Sequence, residues 1–285
     1  MKKLKLSTSL NLHSYPKDNL TEHIRQGLVL LKDAGFEAAD FPFKIMTHLG
    51  GEWQECIEKT IELSQEIGIH FEVCHLPFNP GICAHPEEVA PFNEAMHHAI
   101  DAAAVLGSSY AVVHPNTTSV PVGEFNRSAQ YDSVMAHLSP FVEHANKVGV
   151  NIVVENMGLV HGNEPRQRYC QEPDELCDIA DALGVGVCWD FGHGNQSGLN
   201  QGESINYIGK RLKVLHVNDN NGYGDDHVPP FCGNIDWKDA MSGLSNIGFD
   251  GLFNFEINAT NHPDALRLQF AKHLVECGKE LLTYL

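Results

Sequence analysis

The segment Cys188-Trp189-Asp190-Phe191-Gly192-His193 stands where a run of strand-forming residues ends. Residues 185–189 are typical of a buried β-strand, and the chain then presents Asp190 and, across a glycine, His193. Aspartate and histidine are both metal ligands, so a strand that becomes a loop at these residues holds chemistry at the end of a rigid element. Taken alone, the segment is equally consistent with a loop aspartate that caps a turn beside a surface histidine.

Short β-like runs alternate with helix-like segments along the whole chain. A helix followed by a glycine and then by a strand recurs six times, and glycine is the usual residue that reverses a helix into the next strand. Eight such units in 285 residues predict an α/β fold, a single-domain (β/α)8 TIM barrel over residues 1–285. The predicted strands span residues 4–12, 37–43, 69–76, 110–114, 151–155, 185–190, 212–217 and 252–257. The predicted helices span residues 19–34, 52–67, 86–106, 127–148, 173–183, 204–210, 236–247 and 263–282.

A doubly wound open sheet is the alternative fold. That fold needs a glycine-rich phosphate-binding turn after the first strand. Residues 11–15 read Asn-Leu-His-Ser-Tyr and contain no glycine, so the barrel is the better interpretation.

The composition limits the classes of protein to which the chain can belong. Hydrophobic residues make up 42% of the chain, but no apolar run reaches the roughly 18 residues that a membrane span needs. The basic and then apolar residues 1–6 are interrupted by Ser7-Thr8-Ser9, so we interpret them as the first strand and not as a signal peptide. The eight cysteines form no CxxC pair, and reduced thiols in a cytoplasmic protein fit them best.

The charge balance is strongly acidic. The chain has 19 Lys and Arg against 37 Asp and Glu, a formal net charge of −18 with neutral histidines. Such a field repels phosphate backbones and argues against nucleic acid as the main partner, although a local basic groove or bound cations could offset it. The 17 histidines make a metal site worth seeking.

Residue types that bind metals recur where successive predicted strands end. In a TIM barrel, chemistry lies at these strand ends and in the loops after them. One such residue is usually solvated or hydrogen-bonded, but carboxylates clustered at a barrel mouth repel one another unless a cation neutralises them. Two glutamates, an aspartate and a histidine make an oxygen-rich site that suits Mn²⁺, Mg²⁺, Co²⁺ or Zn²⁺. The residues concerned are His75, His114, Glu155, Asp190, His193, His216, Asp225, His227 and Glu256.

An ordered set of motifs makes the chain recognisable from its third strand to its eighth. Besides His75, the set comprises VVHP at 112–115, VVEN at 153–156, WDFGH at 189–193, LHVNDN at 215–220, DDH at 225–227, GNIDW at 233–237 and FNFEIN at 253–258. The set resembles the xylose isomerase-like TIM barrel superfamily. This superfamily includes sugar (phosphate) isomerases and epimerases and the related AP endonuclease family 2, which cuts DNA at abasic sites.

The resemblance implies an activity and a ligand set. In the epimerase branch, the positions that match Glu155, Asp190, His216 and Glu256 bind one divalent metal. The resemblance also implies that Glu155 and Glu256 face opposite sides of a substrate carbon and transfer its proton through a metal-stabilised cis-enediolate. It therefore predicts a divalent-metal-dependent sugar or sugar phosphate isomerase/epimerase of carbohydrate metabolism. The expected partner is a small sugar, and both a monomer and a homo-oligomer stay open.

The endonuclease branch supplies the alternative function. In that branch additional histidines and an aspartate complete a three-metal cluster, here a trinuclear zinc site of an abasic-site phosphodiesterase. Every corresponding position is filled in this chain, so these residues either bind substrate or hold a second metal: His75, His114, His193, Asp225 and His227. The charge of −18 favours the sugar enzyme.

The chain departs from the isomerase pattern at one place. Relatives often carry a basic residue just after the motif that ends the seventh strand, where this chain has Asn220-Asn221-Gly222. Arg166 and Arg168 are the best candidates for binding an anionic substrate group, with solvated loop arginines as the alternative. Trp237 is expected to pack at a helix start after an Asp236 N-cap. Three residues from early loops are expected to line the pocket, namely His13, Phe43 and Trp53.

Overall fold

Eight parallel strands form the centre of the protein in a computed structural model, which describes residues 4–9, 19–46, 52–79, 82, 86–257 and 262–285. They follow one another around the sheet in the order β8-β1-β2-β3-β4-β5-β6-β7. Isolated parallel bridges, Val214–Leu252 and Val217–Phe255, join β7 to β8 and close the barrel. The strands are β1 (Leu6–Thr8), β2 (Ala38–Pro42), β3 (His70–His75), β4 (Tyr110–Val113), β5 (Asn151–Glu155), β6 (Gly186–Asp190), β7 (Leu212–His216) and β8 (Phe253–Phe255).

Nine α-helices in the described ranges pack around these strands, and the predicted (β/α)8 barrel is confirmed. Glycines in the left-handed region end several of them, such as Gly149 at φ 82° and Gly184 at φ 66°, as the sequence predicts. None of the helices in those ranges has the length and apolar character to cross a membrane. The helices are α1 (Leu20–Ala34), α2 (Trp53–Ile67), α3 (Pro86–Leu106), α4 (Arg127–Val148), α5 (Pro173–Leu183), α6 (Phe191–Gln196), α7 (Gln201–Ile208), α8 (Trp237–Ile247) and α9 (Asp264–Leu282).

Successive side chains of the strands point alternately into two apolar cores. In β6, Val187 and Trp189 belong to the large core between the strands and the helices, whereas Cys188 belongs to a small apolar layer inside the barrel. Side chains two residues apart on a strand share a face. The residue two positions beyond each layer residue therefore also faces the barrel interior, at the carboxyl end of its strand. This rule places five predicted site residues above the layer residues Val73, Val112, Val153, Cys188 and Val214: His75, His114, Glu155, Asp190 and His216.

Three features differ from the predictions. The segment after β6 is the short helix α6 and not a loop, because Asp190 Oδ1 caps it by accepting a 2.6 Å hydrogen bond from the His193 backbone N–H. A small two-stranded antiparallel sheet of Val120–Pro121 and Arg166–Gln167 was not predicted. The first strand is shorter than residues 4–12, and residues 10–18 lie outside the described part of the chain.

Candidate active site and metal centre

Four side chains converge at the carboxyl ends of β5, β6, β7 and β8. Glu155, Asp190, His216 and Glu256 each offer a ligand atom, and these atoms lie within 4.8 Å of one another. His216 Nδ1 lies 3.1 Å from Glu155 Oε1 and 3.1 Å from Glu256 Oε2. Within the described ranges, His216 Nδ1 and Glu155 Oε1 are buried and make no hydrogen bond. Buried ligand-type atoms that converge without hydrogen-bond partners fit a divalent cation.

Two asparagines hold Asp190 in place. The Asn156 side chain accepts a 2.6 Å hydrogen bond from the Asp190 backbone N–H and donates one of 3.0 Å to the Asp190 carbonyl. Asn218 donates a 2.6 Å hydrogen bond from its side-chain amide to Asp190 Oδ2. The VVEN and LHVNDN motifs therefore each contain one candidate ligand and one asparagine that orients another.

Backbone carbonyls orient three of the histidines. The ring Nδ1 lies 2.8 Å from the Leu76 carbonyl oxygen in His75, 2.8 Å from that of Asn156 in His193, and 2.9 Å from that of Glu256 in His227. A ring nitrogen that faces a carbonyl oxygen must carry the proton, so each ring presents an unprotonated Nε2 when it is neutral. This arrangement is typical of histidines that bind metals or accept hydrogen bonds from ligands.

The remaining predicted residues extend the four-residue group on two sides. On one side, His75 Nε2 and His114 Nε2 lie 3.3 Å and 3.2 Å from Glu155 Oε2. On the other side, Asp225 Oδ1 lies 3.6 Å from His193 Nε2 and 3.1 Å from His227 Nε2. The structure thus brings all nine predicted site residues into one continuous cluster. Their roles as ligands or catalysts stay predictions.

Charge interactions within this cluster oppose the effect of burial. Burial raises the pKa of Glu155 and Glu256, but the neighbouring histidines, His216 foremost, together outweigh it, so both pKa values lie below the usual range. Burial raises the pKa of Asp190 to about 6. Although burial opposes it, the acidic groups around His216 raise the pKa of that ring above its usual value. The cluster therefore attracts positive charge, which protons or a metal ion can supply.

Asp219 has a structural task although it lies in the LHVNDN motif. Its two carboxylate oxygens accept four hydrogen bonds across the loop between β7 and α8, and this loop carries Asp225 and His227. The donors are the backbone N–H groups of Asn220, Phe231 and Ile235 and the indole Nε1 of Trp237. Asp236 caps α8 by accepting from the backbone N–H groups of Lys238 and Asp239, as predicted.

Two of the predicted pocket residues from the early loops, Phe43 and Trp53, lie in the large core and not in the cluster. Phe43 is fully buried in the large core against Phe41, with ring centroids 4.9 Å apart. Trp53 is buried in the same core and stacks on His98 of α3 at 5.5 Å. Both predictions were wrong because these aromatic side chains pack between strands and helices. His13 lies outside the described part of the chain.

The family of the chain follows from a match over most of its length. A family model described as the xylose isomerase-like TIM barrel matches residues 28–277. The chain belongs to this family. This xylose isomerase-like barrel is 30% identical over 233 residues to MJ1311, an uncharacterized protein of Methanocaldococcus jannaschii, and the match covers 75% of the chain and 76% of the relative.

Two further proteins are similar to this xylose isomerase-like barrel. An inosose isomerase of Bacillus velezensis is 27% identical over 161 residues, which cover 53% of this chain and 54% of that enzyme. The solved structure of a D-allulose 3-epimerase from Methylomonas sp. superposes with a TM-score of 0.74 at 18% identity, covering 99% of each chain. The latter similarity shows the shared fold.

Proposed function

We propose that the protein is a divalent-metal-dependent isomerase or epimerase of a sugar or sugar phosphate. One observation carries the proposal, namely that Glu155 and Glu256 approach a common point from strands on either side of His216, each 3.1 Å from its Nδ1. Paired carboxylates around one substrate carbon suit removal and return of a proton. The names of the similar D-allulose 3-epimerase and inosose isomerase support the same class of reaction.

Glu155, Asp190, His216 and Glu256 are the residues that would hold the cation. When bound, it supplies a Lewis acid that acidifies the C–H bond beside a substrate carbonyl. Because their pKa values lie below the usual range, Glu155 and Glu256 are both ionised at neutral pH, and either accepts this proton. Return of the proton to the opposite face of the same carbon gives an epimer. Return to the neighbouring carbon, with transfer of the hydroxyl proton to the former carbonyl oxygen, converts a ketose into an aldose.

The histidines beside these glutamates suit the substrate hydroxyls. His75 and His193 are nearly buried, with 6% and 8% of their surface exposed. Each presents Nε2 as an acceptor when its ring is neutral, because its Nδ1 faces a backbone carbonyl. A hydroxyl that donates to such a nitrogen is held in one orientation.

The test is hydrogen exchange from solvent. Metal-loaded protein incubated in D₂O with a panel of ketoses should place deuterium on carbon, detected by proton NMR and mass spectrometry. The Glu256→Gln protein, with its metal content measured, serves as the control. Turnover of a ketose with no deuterium on carbon would show a hydride shift and contradict the proton-transfer mechanism.

A phosphodiesterase acting on abasic DNA is the second candidate. The observation in its favour is the pair of additional ligand groups, His75 with His114 and Glu155, and His193 with Asp225 and His227, since several cations suit phosphodiester hydrolysis. Against it stand the charge of −18 and the absence of Lys and Arg from residues 218–230, because DNA binding draws on basic residues. Nicking of an abasic-site duplex by metal-loaded protein, assayed on a gel, would favour this candidate.

A further inference from the structure

We propose that Arg168 binds an anionic group of the substrate in a cavity beside the metal-type cluster, so that the sugar carries a carboxylate or a phosphate. This inference rests on the proposed isomerase or epimerase function and specifies its substrate class. The cavity has a volume of about 420 Å³. Its lining includes six polar or aromatic side chains, those of His161, Arg168, His193, Gln196, Tyr223 and Asp225.

Arg168 is a cation without a matching anion. Its Nε is buried and makes no hydrogen bond within the described ranges, and its Nη1 reaches only the sulfur of Met157, at 4.0 Å. In the same ranges no carboxylate oxygen lies within 4.0 Å of a guanidinium nitrogen of Arg168, the distance that defines a salt bridge. Burial accordingly lowers the pKa of Arg168. A guanidinium carries five donors in a planar fork that matches a carboxylate or phosphate, so an anion in the cavity would satisfy this group.

Asp225 lies across the same cavity but is already paired. Its Oδ1 lies 3.1 Å from His227 Nε2 and 3.6 Å from His193 Nε2, and despite its partial burial these two rings hold the pKa of the carboxyl well below its usual range. Asp225 therefore attracts Arg168 without contacting it. The charge of Arg168 stays available to a ligand.

The cavity adjoins the atoms proposed to react. His193 lines it and also lies 3.4 Å from Glu155 through its Nδ1 and the Oε1 atom, so a sugar beside Glu155 reaches the cavity by passing one imidazole ring. Gly158 also lines the cavity, and it packs so closely on its neighbours that an added Cβ would lie 2.2 Å from Gln196 Oε1 and 3.2 Å from His193 Cδ2. The stacked rings of His161 and Tyr223, with centroids 4.9 Å apart, form an outer wall.

Arg166 provides a matched control in the same segment. The sequence allows either arginine to bind an anionic group, but Arg166, two residues earlier and of the same charge, does not line the cavity. Its Nη2 donates a 2.6 Å hydrogen bond to the Ser119 carbonyl, and its Nη1 lies 3.9 Å from Glu164. Replacing Arg166 by glutamine therefore removes one positive charge near the site without touching the proposed subsite.

The experiment compares wild-type, Arg168→Gln, Arg168→Lys and Arg166→Gln holoproteins on three substrates. These are a neutral ketohexose, a ketohexose 6-phosphate and a keto sugar acid. For the preferred anionic substrate, Arg168→Gln should lose about 30-fold or more in kcat/KM relative to its loss on the neutral ketose, through KM. Arg168→Lys should lose less, since it keeps the charge but not the fork. The Arg166→Gln protein should keep the wild-type ratio between anionic and neutral substrates.

A binding measurement separates the subsite from the reaction. Titration calorimetry with an aldonate, which has no carbonyl to react, and with inorganic phosphate shows which anion binds to the wild type and not to Arg168→Gln. If such binding occurs while no ketose exchanges hydrogen, the subsite stands and the proposed reaction fails. If a ketose exchanges hydrogen but Arg168→Gln binds and converts the anionic sugars like the wild type, the reaction stands and the subsite is wrong.

Discussion

Asn218 donates a 2.6 Å hydrogen bond to Asp190 Oδ2, while the backbone N–H of His193 donates to Asp190 Oδ1 at the same distance. The carboxylate is thus fixed from both sides, by a backbone group of α6 and by a side chain from the loop after β7. Gly192 packs directly against the Asn218 side chain, and a Cβ at this position would lie 2.0 Å from Asn218 Oδ1. The glycine of the WDFGH motif is therefore a steric requirement of the asparagine in LHVNDN.

This contact predicts the effect of Gly192→Ala. The added methyl group should displace Asn218, destabilise the protein by about 1–3 kcal/mol and weaken retention of a divalent cation. Gly123→Ala is the matched control, since a Cβ there meets no atom of the described structure within 4 Å. Chemical denaturation and metal analysis check both variants. Equal stability and metal content in Gly192→Ala and wild type would show that Asn218 is not held as described.

Metal retention should depend on the four converging residues. Asp190→Ala and Glu155→Ala each remove a buried donor, so both proteins should lose most of the bound cation in elemental analysis. Wild-type protein at a free metal concentration 100 times Kd should gain about 2.7 kcal/mol of stability, and this gain should vanish in both variants. Glu203→Gln, at an exposed position in the otherwise buried first turn of α7, is the control. Occupancy equal to wild type in Asp190→Ala would refute the ligand assignment.

Replacing Glu256 by glutamine should separate catalysis from folding. The substitution keeps the size of the side chain but removes a proton acceptor, so kcat should fall by about 10²–10⁴-fold. The melting temperature and metal content, measured on the same sample, show whether the loss arises from the missing base. Full activity in a metal-replete Glu256→Gln protein would exclude proton transfer by this residue.

Much of the barrel was predictable because its signals are local. Gly149 and Gly184 end α4 and α5 at the positions where the sequence placed them. The helix α6 was not predicted because its hexapeptide contains two glycines, and its stability depends on the cap that Asp190 provides. The small antiparallel sheet pairs Val120–Pro121 with Arg166–Gln167. Strands so far apart along the chain leave no local sequence pattern that predicts their pairing.

The candidate site shows the same division. Placing Glu155 and His216 at the carboxyl ends of two predicted barrel strands was enough to bring them together. The hydrogen bond from Asn218 to Asp190 and the unmatched charge of Arg168 depend on how loops from different strands meet. The sequence can name such residues as candidates, but only their three-dimensional neighbours decide what each side chain does.

His137 on α4 should make stability depend on pH. Burial lowers the pKa of this ring to about 4. Its Nε2 lies 3.0 Å from the side-chain amide nitrogen of Asn116. The Oδ1 atom of the same asparagine accepts a hydrogen bond from the Asn79 backbone N–H. Below its ordinary pKa of about 6.5, the unfolded state binds the proton and the folded state does not. The free energy of unfolding should therefore fall as pH decreases from 6.5 to 4.

The slope from this single group is at most about 1.4 kcal/mol per pH unit. His137→Gln keeps a hydrogen-bond acceptor for Asn116 but does not titrate, so its stability should fall less over the same range. Urea denaturation of both proteins at several pH values measures the difference. Parallel stability curves for the two proteins would show that His137 is protonated equally in its folded and unfolded states.

The positions of the candidate ligands bear on how the seam between β7 and β8 is held together. These strands are joined by isolated bridges, and β8 has only three residues. His216 ends one strand and Glu256 follows the other, so a cation bound by both works as a clasp across this seam. Binding of such a cation and closure of the barrel would then be linked equilibria, so metal loading should also stabilise the pairing of β7 with β8. Slower amide hydrogen exchange at residues 253–257 on loading would report the clasp directly.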